Sequence, residues 1–253
     1  MIATLYLLAR PQFTTAYRDF LAARNETWHE GPVSDAERLV EFAGRICYMS
    51  FGARQSPRDN AAYIANLIDQ GHDSVLEHAS WSFLLDGVSR SFTHQLVRHR
   101  IGFSFSQLSQ QYHDHSRAEF LPPAGLERIP EALAAWNTAV EAAQVAYHTI
   151  QSLLGSENEP GLEGKEQLRA IRSASRSVLP NATETRIVVT ANARSLRHFL
   201  SLRGATEGDF EMRHVSGLIY KMLQMEAPAL VSDFENSAVG DDAPLITRRL
   251  RDV

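Results

Sequence analysis

Apolar and polar positions recur with two periods along this chain, and the period predicts the elements. Thr4 to Leu8 is short and apolar and is closed by Arg10-Pro11, which predicts a first strand. From Ala36 to Tyr48, Leu39, Phe42 and Ile46 recur at helical spacing, and Arg58 to Ile68 reads as a second helix. Ala79 to Leu85 alternates loosely as a strand does. Asp86-Gly87 suggests a turn, and a helix is expected from Ser89 towards Val97. Arg98 to Tyr112 is dense in serine and glutamine without a helical period, and reads as an irregular loop with some strand.

The best helix is predicted from Pro130 to Leu154. Leu133, Trp136, Val140, Ala143, Tyr147, Ile150 and Leu154 step by three and four along one stripe, and Pro130 suits a first turn. Polar Gly155 to Gly164 separates it from a basic helix ending near Val178-Leu179-Pro180. Thr183 to Thr190 is rich in β-branched residues and predicts a strand. Helices follow near Ala193 to Arg203 and Asp209 to Leu223, and the polar tail from about 234 is expected to be loosely held. Strands and helices mix without a regular βαβ rhythm, repeat or linker. The expectation is a single α+β domain over 1–253.

Composition narrows the function classes. With 44% apolar and 22% charged residues the chain has the make-up of a soluble globular protein. The single cysteine, Cys47, excludes an internal disulfide framework and any multi-thiolate metal site, and suits a reducing cytoplasm. Its place in an apolar helical stretch predicts a buried structural thiol. Met1 to Leu5 lacks the basic flank of a signal peptide, and no run of about 18 apolar residues offers a membrane span. A net charge of −5 argues against a general nucleic-acid binder, although local basic clusters can still recognise a small anion.

Three constellations carry candidate chemistry. Arg98-His99-Arg100 is either a solvated basic turn or an anion site. The hydroxyls and amides that follow, Ser104, Ser106, Gln107, Ser109, Gln110 and Gln111, suit a phosphorylated, heteroatom-rich ligand such as a nucleotide. Arg203 continues the helical face of Leu196, Phe199 and Leu200, so it needs an anion: a carboxylate such as Asp209 or Glu211, or a ligand. Gly71 to His78 mixes histidine and glutamate, but His72 and His78 are six apart and no cysteine supports zinc, so a polar turn is the reading and no metal is expected. A GxGxxG fingerprint and a complete phosphate loop are both missing.

Taken in order, these segments resemble the flavin-dependent thymidylate synthases. That family's signature is RHR, then seven or sometimes eight residues, then serine; here Arg98-His99-Arg100 is followed by Ile101 to Leu108 and Ser109. GHDSVLEHASWSF from Gly71 and SRSVLPNATETRIVVTANARSLRHFLSLR from Ser175 look like further family blocks, so the resemblance covers roughly residues 43–234. It implies helices on a central, mostly antiparallel sheet, a homotetramer with active sites shared between subunits, bound FAD, methylenetetrahydrofolate as carbon donor and NADPH as reductant. It places Arg98, His99, Arg100 and Ile101 on the flavin, and His72, Ser74, Glu77, Asn192, Arg194 and His198 at further flavin or folate contacts. His198 stands where some members have asparagine. Gln95, Gln107, Leu108, Ser109, Gln110, Gln111, Arg176, Arg203 and Glu207 fall at nucleotide-binding positions, with Arg203 able to stabilise charge on the uracil oxygens. The family needs no cysteine nucleophile.

The chain departs from the family at one pocket. Gln111 stands where an arginine is usual, Glu207 where histidine is common, and the loop before Ser109 is one residue longer than the commoner form. A neutral amide cannot reproduce a bidentate guanidinium, and the loss of a hydrogen bond to a charged group removes about 1.5–3 kcal/mol unless something compensates. Either His113 or Arg117 compensates and the substrate stays dUMP, or the nucleotide has changed to UMP, whose ribose hydroxyl an amide or carboxylate can bind. The second option resembles the UMP methylase branch of polyoxin-type nucleoside antibiotic biosynthesis. A non-catalytic flavin and nucleotide sensor is the reading from another class.

Overall fold

The computed structural model describes residues 3–57, 59–156 and 163–249. In chain order the elements are β1 (Thr4–Ala9), α1 (Tyr17–Ala22), α2 (Asp35–Tyr48), α3 (Asn60–Asp69), a 3-10 helix (Asp73–His78), β2 (Ser80–Ser89), α4 (Arg90–Leu96), β3 (Phe103–Gln107), α5 (Pro130–Ser156), α6 (Gly164–Ser175), β4 (Glu184–Asn192), α7 (Ala193–Phe199), a π-helical turn (Leu200–Gly204), α8 (Phe210–Glu226), β5 (Phe234–Ser237) and β6 (Leu245–Arg248). The α+β class is as expected.

Local chemistry sets the helix starts. Ser34 and Glu37 form a reciprocal capping box on α2, Asp59 accepts from Ala62 N at the start of α3, and Ser89 accepts from Phe92 N at the start of α4. The expected turn at Asp86-Gly87 does not end the strand. Gly87 adopts φ +75°, which costs a glycine little, and β2 continues to Ser89, the α4 cap. On α5 the apolar stripe faces inward through buried Val140 and Tyr147 and frays to an exposed Leu154 at its end.

One sheet has the order β1-β2-β4-β3. Its antiparallel register is visible at both ends of β4. Arg90 N donates to Thr183 O while Ala193 N donates to Ala79 O, and Leu108 N donates to Arg186 O while Asn192 N donates to Gly102 O. The residues group into two compact units. One comprises Leu85–Arg98 and Ser106–Ile187 with the chain up to Thr4; the other comprises Leu5–Leu84, His99–Phe105 and the chain from Val188 onward. The first unit has its core on Leu85, Phe92, Leu96, Tyr147 and Ile187, and the second on Trp81, Phe83, Leu196, Phe199, Val215 and Leu223.

Several expectations change. The stretch from 234 is no loose tail: β5 and β6 pair antiparallel, Phe234 with Arg248 and Ser237 with Leu245, and Phe234, Ala243 and Ile246 are buried. Cys47 is exposed, not buried, because α2 turns a different face inward. The segment 98–112 keeps its expected character, loop with some strand, the strand being β3. Arg58 and residues 157–162, which bear on the predicted α3 start and the polar segment after α5, lie outside the described residues. Among the described residues no helix is long and apolar enough to cross a membrane.

Candidate active site

The second unit assembles most of the expected flavin set. Asn192 ends β4 and caps α7, its Oδ1 accepting from Ser195 N at 2.9 Å, while Ser195 Oγ donates to Ile101 O at 2.8 Å. The segment after the basic tripeptide therefore lies against the start of α7. Gly102 permits this approach: at φ +71° a Cβ would fall 2.1 Å from Ser195 Oγ and 2.6 Å from Asn192 Nδ2. His99 is half-buried, with its ring edge-on to Phe199 at 5.1 Å and 6.4 Å from His198. Arg203 Nε donates to His99 Nε2 at 3.1 Å. Burial, then the charges of Arg203 and His198, hold the His99 imidazole below its ordinary value of 6.5, so it is the neutral acceptor that this bond requires.

The π-helical turn explains why Arg203 is not enclosed with its neighbours. Leu196, Phe199 and Leu200 are fully buried, but the wider turn shifts the register and leaves Arg203 half-exposed. It makes no ion pair with a carboxylate among the described residues; Asp209 instead caps α8 through Met212 N at 3.1 Å. Arg194 pairs with Glu77 at 2.6 Å, joining two expected cofactor residues. His72 and Ser74 are exposed on and beside the 3-10 helix, and the His72 ring stacks on Tyr48 at 6.5 Å. Arg100 and Ile101 are exposed, and the Arg100 carbonyl accepts from Phe103 N at 3.4 Å. This donor-rich, carboxylate-poor set fits an anionic dinucleotide such as FAD. Glu207 is exposed on the loop after Arg203, and its carbonyl accepts from Arg213 Nε at 3.1 Å.

The first unit holds the expected nucleotide residues other than Arg203 and Glu207. Gln107 Nε2 donates to Thr93 Oγ1 at 2.9 Å and lies 3.4 Å from Thr185 Oγ1. Ser109 Oγ accepts from Gln111 N, and Gln111 Nε2 donates to Ser173 Oγ at 2.9 Å. Gln110 is buried, Gln95 and Leu108 are half-buried, and Arg98 is exposed at the end of α4. Half-buried Arg176 lies near Arg90, whose guanidinium is pushed to a lower value by burial first and by the Arg176 charge second. Arg90 has one long hydrogen bond, NH1 to Leu108 O at 3.4 Å, and neither arginine meets a carboxylate among the described residues. Two guanidinium groups that feel each other's charge and meet no carboxylate among the described residues suit an anion. By contrast, His113 and Arg117 line a cavity of about 290 Å³ with Asp86, Asp114, Glu119 and Glu184, a poor setting for phosphate. Among the described residues no cluster of His, Cys, Asp or Glu is arranged for a metal.

The family described as thymidylate synthase complementing protein matches residues 31–229. The chain belongs to that family. A flavin-dependent thymidylate synthase of Mycolicibacterium gilvum (strain PYR-GCK) is 46% identical over 216 residues, 84% of this chain and 85% of that protein. The enzyme of the same name from Mycobacterium sp. (strain KMS) is 41% identical over 251 residues, 96% of this chain and 94% of that protein. Its counterpart in Mycobacterium leprae (strain Br4923) is 41% identical over 244 residues, 93% and 94% of the two. Within the thymidylate synthase complementing fold, the structure adds residues that the sequence reading passed over. Ser173, Arg90, Ser195 and Arg213 all hold expected site residues in place, and none is marked by local sequence: each is recognised only through its partner.

Proposed function

We propose that this protein is an FAD-dependent enzyme that methylates carbon 5 of UMP, taking the one-carbon unit from methylenetetrahydrofolate and reducing power from NADPH. The observation that carries the choice of UMP is Gln111. Its amide nitrogen is engaged by Ser173 at 2.9 Å, which leaves a carbonyl oxygen to accept from a hydroxyl where a guanidinium is usual. A site built to hydrogen-bond a substrate hydroxyl discriminates far better than one relying on packing. Arg176 with Arg90 would hold the phosphate, which supplies an anion for two guanidinium groups that meet no carboxylate among the described residues.

His72, Ser74, Glu77, Arg98, His99, Arg100, Ile101, Asn192, Arg194 and His198 are the residues assigned to FAD. When bound, FAD would supply the hydride and relay the one-carbon unit. The chain's own contribution is binding and electrostatics. Arg203 retains its terminal nitrogens after Nε is engaged by His99 and would stabilise negative charge on the uracil oxygens. No thiol is needed for this role; Cys47 lies on α2 with its thiol directed to Ala43 O. A homotetramer with active sites shared between subunits, in a reducing cytoplasm, completes the reading. The nucleotide and cofactor sets need not then come from one chain. A pathway to nucleoside antibiotics of the polyoxin type is the proposed setting.

The test is carbon-5 methylation of UMP and dUMP side by side, in wild type and in Gln111→Arg with Glu207→His. Higher kcat/KM for UMP, shifted towards dUMP in the double variant, is the expected outcome. Preference for dUMP in the wild type would sink the UMP assignment, and no methylation of either despite bound FAD would leave a sensor.

A further inference from the structure

We propose that His99 is a positioning residue for Arg203, fixing the guanidinium through Nε so that its two terminal nitrogens remain for the pyrimidine. This rests on the catalytic reading of Arg203 given above. The geometry is a single contact between residues 104 positions apart, Arg203 Nε to His99 Nε2 at 3.1 Å. An imidazole nitrogen accepts only when unprotonated, so His99 carries its proton on Nδ1. Among the described residues this is the only bond to the Arg203 side chain.

The surroundings support the assignment. The His99 ring is wedged against Phe199 of α7 and Phe103 of β3, at 5.1 and 6.0 Å. The titratable and charged groups that face it are Arg203 from the π-helical turn and His198 from α7, both disfavouring a charged imidazole. No carboxylate is among them. The backbone of the turn is held from behind: Gly204 packs against Ile246 of β6, and the carbonyl of Glu207 accepts from the buried Arg213. Backbone and side chain are thus anchored separately, the side chain by His99. Protonation of His99 removes the acceptor and sets a second positive charge beside Arg203.

Two variants and one titration test this. His99→Phe removes the acceptor and should lower kcat about 10- to 100-fold, the value of one hydrogen bond to a charged group, with nucleotide KM less affected. FAD content is read separately from the visible absorbance, because His99 also belongs to the flavin set. His99→Gln keeps an acceptor without a proton switch; at equal FAD content it should turn over faster at neutral pH than His99→Phe and lose the acidic limb of the kcat profile. In full-length protein carrying 13C-labelled histidine, Arg203→Met should raise the titration midpoint of His99. An unmoved midpoint, or His99→Phe turning over within about twofold of wild type, overturns the positioning role. Turnover surviving in Arg203→Met instead overturns the catalytic reading of Arg203 itself.

Discussion

Adding one methyl group at Gly204 should loosen the C-terminal hairpin and displace Arg203. A Cβ there would lie 2.7 Å from Ile246 Cβ and 3.0 Å from Ile246 O, against an ordinary carbon contact of about 3.5–4.0 Å. Ile246 is fully buried in β6, and the opposing atoms are its backbone oxygen and Cβ, so neither can swing aside. Overpacking of this kind costs about 1–3 kcal/mol, partly offset by the roughly 1 kcal/mol by which alanine favours a helical backbone over glycine. A net loss of up to about 2 kcal/mol corresponds to a Tm lower by up to about 8 °C in a chain of this size. The functional loss should be larger, because a displacement near 1 Å in a catalytic group can cost about a hundredfold. Scanning calorimetry, FAD content and nucleotide-dependent kcat would be measured together. A Tm equal to or above wild type with unchanged kcat would refute the close packing and its link to Arg203.

Two further outcomes follow from buried charge. Arg213, 2% exposed, forks onto Asp241 at 3.0 and 2.6 Å and also donates to the carbonyls of Ala243 and Glu207; Arg213→Lys should lose about 2–3 kcal/mol, read as a lower denaturant midpoint at constant m, and an unchanged midpoint would show that the clamp is dispensable. Stability should fall in two stages on acidification. His99 and His115 are both held low, mainly by burial, so the unfolded chain takes up protons near 6.5 while the folded chain does not; their contribution is complete above that pH and is lost as pH falls through the folded values. Asp114 and Asp233 follow at lower pH. Burial raises each, but hydrogen bonds led by Ser116 N for Asp114, and the Arg197 and Arg248 guanidinium groups for Asp233, bring both below 3.8, so their contribution disappears as pH drops beneath that value. A Tm that rises between pH 7 and 5.5 would contradict the sign.

Long periodic elements were legible in the sequence because their own side chains define them; α5, with its three-and-four stripe, and α8 stand where the pattern predicts. α2 shows where that logic fails. Its extent is right, but Leu39, Phe42 and Ile46 are only half-buried while Glu37, Glu41 and Arg45 are enclosed. Glu41 accepts from Arg45 Nε at 2.6 Å, Asn60 Nδ2 at 2.6 Å and Trp28 Nε1 at 3.1 Å, and Glu37 accepts from Ala229 N at 2.8 Å. A buried carboxylate is tolerable only with such partners, and apart from Arg45 they lie 13 to 192 positions away and leave no local trace. Cys47 ends up outside for the same reason. The hairpin of β5 and β6 was missed because four-residue strands with one fully buried residue each carry almost no alternation.

The same distinction separates the residues of the site from its couplings. The motif around Arg98-His99-Arg100 and the block ending at Arg203 identify both members of the His99–Arg203 pair by type, yet helical period places Arg203 on the enclosed face with Leu196, Phe199 and Leu200. The π-helical turn breaks that period by widening one turn, and the widening is stable because Gly204 lets Ile246 approach where any side chain would collide. A register shift of one residue is enough to carry a guanidinium from an apolar core, where it would need a carboxylate, to a half-exposed edge where a neutral imidazole suffices. The placement of the proposed reactive charge thus depends on Ile246, more than forty positions downstream, so the polar C-terminal stretch supports the proposed site although none of its own side chains would carry the chemistry.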